Sequence, residues 1–104
     1  MSAGGKGEKN GYALVRYDGS RSGGQNVASS EHFGTGTYII EFKSSVKKCA
    51  YLATLGRPLQ TVSQQGFVSV VARPGSDSGI VVYTGDDAGN LRDRDFHVGV
   101  FCTV

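Results

Sequence analysis

The chain has 104 residues, of which 38% are hydrophobic and 19% are charged. That length suits one domain, and the composition is typical of a folded globular protein rather than a disordered chain. Eleven basic residues nearly balance nine acidic ones, and the formal net charge of +2 disfavours a nucleic-acid partner. The longest apolar run is only as long as a β-strand, so we expect no membrane-spanning segment.

Residues 1–10 are small, polar and rich in glycine, a composition that predicts a flexible tail or linker. The remaining residues, 11–104, are expected to form a single domain. Sixteen glycines, five tyrosines and five phenylalanines are typical of short strands joined by tight turns. We predict an all-β fold of about seven strands, an antiparallel β-sandwich or jelly roll, with strands at 11–17, 26–33, 37–42, 49–55, 66–73, 80–84 and 96–102.

Three features follow the first strand. The dipeptide Asp18-Gly19 predicts a tight turn, because glycine accepts a left-handed backbone conformation. Residues 20–25 consist largely of serine and glycine and are expected to form a loop. The next strand, 26–33, is weak and polar, which suits an exposed sheet edge.

The stretch 36–56 has the clearest strand pattern, and we interpret it as a hairpin around which the fold is organised. Alternation with a period of two places Tyr38, Ile40 and Phe42 on the side that faces the core. The second strand, 49–55, is largely apolar on both sides. Such a strand is expected to lie in the centre of its sheet, or to be covered on its second face by another sheet or subunit.

Long loops often carry binding function, and three connections qualify as ligand-binding loops: 20–25, 57–65 and 85–94. They could contact a glycan or a cell-surface protein through polar side chains. The residues that we predict to bind such a ligand are Arg57, Gln60, Gln64, Asp86, Asp87, Asn90 and Arg92.

Oxygen-bearing side chains gather in the last of these loops, at Asp86, Asp87, Asn90, Asp93 and Asp95. Calcium prefers such ligands, but the spacing is not that of an EF-hand and the bidentate glutamate is missing. An aspartate-containing turn followed by the ion-pairing run 92–95 explains the same residues. We therefore expect no metal and no cofactor.

Two histidines, His32 and His97, are the only imidazoles in the chain. A small hydrolase could use either one as a general base with Ser29, Ser30 or an aspartate. No GxSxG motif is present, and His97 alternates with apolar residues along a strand, which favours a structural histidine or one at an interface. We predict that the chain is not an enzyme.

The two cysteines begin and end strands, since Cys49 opens the strand 49–55 and Cys102 closes the last one. If these strands are antiparallel neighbours, a disulfide can join them, and an oxidising location follows. Two buried free thiols that act as small apolar residues are the alternative. No CxxC spacing exists, which disfavours a zinc or redox motif.

Four segments carry a resemblance to a known type of domain: YALVRYDGS, GTGTYIIEF, KKCAYLATLG and VSVVARPGSDSGIVVYTGDDAGNLRDRDFHVGVFC. They resemble a poorly characterised bacterial β-rich domain that lies at the carboxyl end of its proteins, often behind a collagen-like stalk, and is related to modules of phage tail-fibre tips. The resemblance spans about residues 11–102. It implies a trimeric, surface-displayed tip that takes part in adhesion, either secreted to the extracellular side or on a virion surface. It implies no catalytic residues in this chain.

Strands that are apolar on both faces also favour assembly. The strands 49–55, 67–72 and 80–84 offer more apolar surface than the single interior of a sandwich of this size can bury. A symmetric interface between copies would cover the remainder, so we expect a homo-oligomer. The sequence thus predicts a binding module or, as the alternative, a purely structural self-assembly unit without a ligand.

Overall fold

The structure, a computed structural model, describes residues 10–102 of the chain. Residues 1–9 of the predicted tail and residues 103–104 lie outside the described part. The described residues form eight strands: β1 (Gly11–Val15), β2 (Arg21–Gln25), β3 (Val27–Gly34), β4 (Thr37–Phe42), β5 (Cys49–Leu55), β6 (Phe67–Ala72), β7 (Gly79–Gly85) and β8 (Phe96–Cys102). Within residues 10–102, no helix is long and apolar enough to cross a bilayer.

The strands form two four-stranded antiparallel sheets that pack face to face. Sheet A has the order β2-β1-β8-β5, and sheet B has the order β3-β4-β7-β6. Side chains from the inner faces of both sheets form one hydrophobic core. The predicted all-β sandwich is therefore confirmed, with eight strands instead of seven.

The additional strand is β2, in a segment that we predicted to be a loop. Its sequence, RSGGQ, has almost no intrinsic strand preference. It pairs with β1, and Gly23 lies opposite Leu14, whose side chain occupies the space that a Cβ of Gly23 would approach. The pairing with β1 overrides local propensity. The tight turn before β2 is confirmed, because Gly19 has a φ of 90° and donates its N–H to the Arg16 carbonyl.

The predicted central hairpin is wrong. β4 pairs with β3 and β7 in sheet B, whereas β5 pairs only with β8 and forms an edge of sheet A. The physical reason lies in the connection between them, where Val46 is 1% exposed and anchors the chain in the core. Its N–H donates to the Asp77 carbonyl, so the chain crosses from one sheet to the other instead of turning back.

The core agrees with the alternation found in the sequence. Tyr38, Ile40 and Phe42 all point inward, as predicted. They pack with buried residues of β1, β3, β7, β8 and the β4–β5 connection: Ala13, Val15, Val27, Val46, Ile80, Val82, Phe96, Val98 and Val100. β3 is an edge strand of sheet B and is largely exposed, which confirms its predicted place.

The antiparallel pairing gives the sandwich two distinct ends. The connections that follow β1, β3, β5 and β7 meet at one end, which we call the loop end and which comprises residues 16–20, 35–36, 56–66 and 86–95. The start of β1 and the end of β8 lie at the opposite end, which we call the terminal end. The two ends of the described chain are thus neighbours.

A disulfide between Cys49 and Cys102 lies at the terminal end. The two residues face each other in the β5–β8 register, so the disulfide alternative is the correct one. Next to it, the N–H of Cys102 donates a hydrogen bond of 2.7 Å to the side-chain oxygen of Asn10. The terminal end is therefore closed by a covalent bond and by a contact between the two ends of the described chain.

Replacing both cysteines, as Cys49→Ala with Cys102→Ala, should destabilise the domain. The sequence separation is 53 residues, and opening a loop of that size is expected to cost about 4 kcal/mol in the entropic model. Guanidinium unfolding of the variant and of the oxidised wild type measures the difference, with Cys49→Ala alone under reducing conditions as the control. A difference below about 1 kcal/mol would contradict the expectation.

Candidate functional site

The loop end carries the residues that the sequence predicted to bind a ligand. The β5–β6 loop contributes three of them and the β7–β8 loop the other four. The loops meet where Gly56 donates its N–H to the Asp95 carbonyl over 2.9 Å. The side chains of Tyr38, Asp93 and Asp95 then join these loops to the rest of the sandwich.

Tyr38 connects the core to the loop end. Its ring is completely buried and packs edge-on against Phe96 of the opposite sheet, with the ring centres 4.9 Å apart. Its hydroxyl donates to the Tyr17 carbonyl over 2.7 Å and accepts the N–H of Arg94 over 3.3 Å. Burial and the charge of Asp93 raise the pKa of Tyr38 to about 12, so it stays a neutral donor.

Asp93 links the β7–β8 loop to sheet B. Its carboxylate accepts the N–H of Gly36 over 2.7 Å and lies 2.8 Å from the Nε2 atom of His32, whose ring packs beside Tyr38. Partial burial acts to raise the pKa of Asp93, but the hydrogen bonds from Gly36 and His32 prevail and hold it below its ordinary value. The charged carboxylate is therefore the form that the fold stabilises.

Asp95 joins three connections. Its side chain accepts the N–H of Tyr17 over 2.7 Å, which ties it to the β1–β2 turn. The Nε atoms of Arg57 and Arg16 lie 3.5 Å and 4.0 Å from its two oxygens. The side chain of Asp95 is only 16% exposed, but those of Arg57 and Arg16 are 57% and 43% exposed, so solvent screens both ion pairs.

The predicted residues of the β5–β6 loop have different roles. Gln60 accepts the N–H of Arg57 over 3.0 Å and donates to the Val62 carbonyl over 2.6 Å, so it closes its own loop. Arg57 keeps more than half of its side chain exposed. Gln64 is half-buried in the wall of a cleft. Arg57 and Gln64 are thus the members of this group that remain available to a ligand.

That cleft lies between the β5–β6 loop and sheet A, and has a volume of about 400 Å³. Besides Arg57 and Gln64, its walls include hydroxyl groups of Thr54 and Thr61 and the imidazole of His97. A guanidinium, an amide, hydroxyls and an imidazole are the groups with which proteins bind the oxygens of sugars and acidic side chains. Leu55 and Val62 also line the cleft, which therefore offers both polar and apolar contacts to a ligand.

The β7–β8 loop is organised by Asp86. Its carboxylate accepts the N–H groups of Ala88 and Asn90 and the side-chain amide of Asn90. The hydrogen bond from the Asn90 N–H is the main cause that holds the pKa of Asp86 below its ordinary value. Asp87 and Arg92 are exposed at the surface of the loop. Asp86 and Asn90 therefore shape the loop, whereas Asp87 and Arg92 are free to contact a ligand.

The carboxylates that suggested calcium point to different partners. Asp86 folds back on its own loop, Asp93 binds Gly36 and His32, and Asp95 binds Tyr17. Within residues 10–102, no group of three or more histidine, cysteine, aspartate or glutamate side chains could hold a metal ion.

The two histidines lie in different sheets. His32 is on β3 and pairs with Asp93. The serine hydroxyl closest to it along the sequence is that of Ser30, which donates to the Gly19 carbonyl over 2.7 Å. His97 is on β8, between Leu14 of β1 and Thr54 of β5 in the register of sheet A. Because the Ser30 hydroxyl donates to a backbone carbonyl, it does not form the serine–histidine pair that a hydrolase would need.

The outer face of sheet A is a second candidate surface, and the sequence predicted only the part of it that β5 forms. Leu52 of β5 is 61% exposed, which agrees with the two apolar sides inferred for this strand. Tyr12 of β1 and Phe101 of β8 are 45% and 53% exposed on the same face, and Gly99 lies between Tyr12 and Leu52. Alternation alone could not tell that these aromatic rings point away from the core.

Comparisons with protein-family models, with curated proteins and with solved structures find no match to this chain.

Replacing Tyr38 with phenylalanine should loosen the loop end. The change leaves the Tyr17 carbonyl and the Arg94 N–H without their buried partner, which is expected to cost about 1–3 kcal/mol. Amide hydrogen exchange should accelerate at residues 16–20 and 92–95. The matched control is Tyr51→Phe, which removes a comparable hydrogen bond to the Val46 carbonyl, 3.1 Å long, at the terminal end. Equal exchange at the loop end in both variants would contradict this role.

Asp93 should also make stability depend on pH. Its pKa is lowered in the folded state, so its contribution is complete above the ordinary value of 3.8 and is lost as the pH falls through the folded value. Asp93→Asn should lower the unfolding free energy at pH 7 by about 1 kcal/mol or less, because solvent screens this partly exposed pair. The difference from wild type should shrink below pH 4.

Denaturant unfolding between pH 7 and pH 2.5 measures this dependence. Asp87→Asn, at an exposed carboxylate of the same loop, is the control and should follow wild type. A difference between Asp93→Asn and wild type that stays constant with pH would rule out the carboxylate as its source.

Proposed function

We propose that this domain is a non-enzymatic binding or structural module, an oligomeric and surface-displayed tip, with a trimer favoured, that binds a glycan or a cell-surface protein through its loops. One observation carries the proposal. Both ends of the described chain lie at the terminal end, next to the Cys49–Cys102 disulfide, and the candidate ligand residues lie at the opposite end. A domain attached through either end of this segment would present the loop end outward.

The loop end also suits recognition because it is preorganised. Tyr38, Asp93 and Asp95 hold three connections together through hydrogen bonds to backbone groups, and the Gly56 N–H joins the β5–β6 loop to them at the Asp95 carbonyl. Binding to loops that are already ordered loses less conformational entropy than binding to mobile ones. We assign ligand contact to Arg57 and Gln64 in the cleft and, on the separate β7–β8 loop, to Asp87 and Arg92.

A purely structural assembly unit is the second candidate. The outer face of sheet A favours it, since exposed apolar side chains grouped on adjacent strands are typical of an interface. A hydrolase that uses His97 or His32 is a weaker alternative, because Ser30 is engaged with a backbone carbonyl and Asp93 serves the fold.

The location of the protein and the jelly-roll connectivity of its strands belong to the same proposal. The disulfide of a small domain is consistent with an extracellular or virion-surface location, where oxidising conditions preserve such bonds. The jelly-roll connectivity stays a prediction, because the two strand orders establish a sandwich only.

The proposal is tested by binding of the wild-type domain to arrays of glycans and of cell-surface proteins. For a ligand so found, the double variant Arg57→Ala with Gln64→Ala should weaken binding by roughly 10- to 100-fold, because it removes one charged and one neutral hydrogen-bonding group. Lys47→Ala, at an exposed cation of the terminal end, should bind as wild type does. Equal affinity of all three proteins would contradict the assigned site, and silence on both arrays would favour the structural unit.

A further inference from the structure

The cleft beside the β5–β6 loop adjoins an apolar groove on the outer face of sheet A. The cleft has a volume of about 400 Å³ and the groove one of about 330 Å³. Thr54 of β5 and His97 of β8 lie opposite each other in the register of sheet A, and both residues line the cleft and the groove alike. A ligand that enters the cleft can therefore extend into the groove along the same surface.

The groove supplies the apolar part of this surface. The side chains of Tyr12, Leu52 and Phe101 form its exposed walls. Gly99 lies between Tyr12 and Leu52, and a Cβ there would approach the ring of Phe101 to 3.2 Å. The floor of the groove is thus free of side chains and is flanked by aromatic rings. The negative face of an aromatic ring attracts C–H groups, so the groove suits the C–H face of a sugar ring.

The cleft supplies a positive charge. The exposed guanidinium of Arg57 has its Nε atom 3.5 Å from the carboxylate of Asp95. The Nε atom of Arg16 lies 4.0 Å from the same carboxylate, so two positive charges share one negative charge. Among the described residues that line the cleft or the groove, none is an aspartate or a glutamate. This excess of positive charge favours a ligand that carries a carboxylate, which a guanidinium binds with charge-assisted hydrogen bonds.

The size of the two concavities favours a small ligand. Each lies within the range of roughly 300 to 1,000 Å³ that is typical of small-molecule sites, whereas a protein partner needs a broader interface. The hydroxyls of Thr61 and Ser63 and the amide of Gln64 also line the cleft. Such groups can exchange hydrogen bonds with the hydroxyl groups of a sugar.

We propose that the cleft and the groove form one site for an acidic oligosaccharide. A sugar carboxylate binds the guanidinium of Arg57, and the C–H face of a further sugar ring packs on Tyr12 and Phe101. This inference rests on the proposed function and names the class of its ligand. Uronic acids and sialic acids both supply the required carboxylate.

Isothermal titration calorimetry of the wild-type domain tests the site with three acids: tetragalacturonic acid, a hyaluronan tetrasaccharide and sialyllactose. Each acid is compared with its methyl ester, which lacks only the charge. At least one acid should bind, and its ester should bind about 10- to 100-fold more weakly. The uronic and sialic probes distinguish the two sources of the carboxylate. Failure of all three acids to bind at millimolar concentration, or equal binding of acid and ester, would overturn the inference.

Two pairs of variants locate the bound acid. Arg57→Gln should weaken its binding by about 10- to 100-fold, whereas Lys48→Gln, which removes an exposed charge at the terminal end, should bind as wild type does. Phe101→Ala should weaken binding by about 3- to 10-fold. Its matched control is Phe33→Ala, which removes an exposed ring from β3 of sheet B and should have no effect. Equal affinities within either pair would contradict the assigned contacts.

The proposed function can fail or survive separately. A neutral glycan or a protein that loses binding in the variant Arg57→Ala with Gln64→Ala would overturn the acidic ligand and leave the proposed function standing. A wild-type domain that binds nothing on either array and none of the three acids would overturn both.

Discussion

The hydroxyl group of Tyr38 is the polar contact on which the loop end depends. The ring is held between the two sheets by core packing against Phe96, which fixes the position of the hydroxyl. From that position it serves the Tyr17 carbonyl and the Arg94 N–H, groups from two different connections. The placement of the loops is therefore a consequence of core packing, and a well-packed interior produces an ordered surface.

Polar side chains at the loop end fall into two groups, those that bind backbone groups and those that stay available to a ligand. Amino-acid composition does not tell to which group a residue belongs. Asp86, Gln60 and Asp93 accept hydrogen bonds from backbone N–H groups of their own or neighbouring loops. Arg57 and Gln64 retain free capacity beside the cleft. Within residues 10–102 these loops have no helix to pack against, and hydrogen bonds between side chains and backbone groups hold them in place.

The sequence predicted the features that depend on local alternation. Tyr38, Ile40 and Phe42 were placed in the core because a period of two assigns them to one face, and the cysteines were placed opposite each other if their strands were neighbours. The sequence did not predict the features that depend on pairing between distant segments of the chain. RSGGQ becomes a strand only because β1 lies beside it, and the chain crosses between sheets after β4 because Val46 is buried. Composition located two of the three predicted loops, 57–65 and 85–94, but which of their side chains bind backbone groups depends on distances across the fold.

The position of both ends of the described residues, 10–102, at the terminal end has a mechanical consequence. Tension applied between Gly11 and Cys102 would act across the β1–β8 ladder, opening it one residue pair at a time, starting where Gly11 faces Val100. The disulfide transfers the load on β8 to β5, so β8 cannot be peeled away by itself. β1 would therefore yield first, while a load carried through only one chain end would leave the sandwich unstressed.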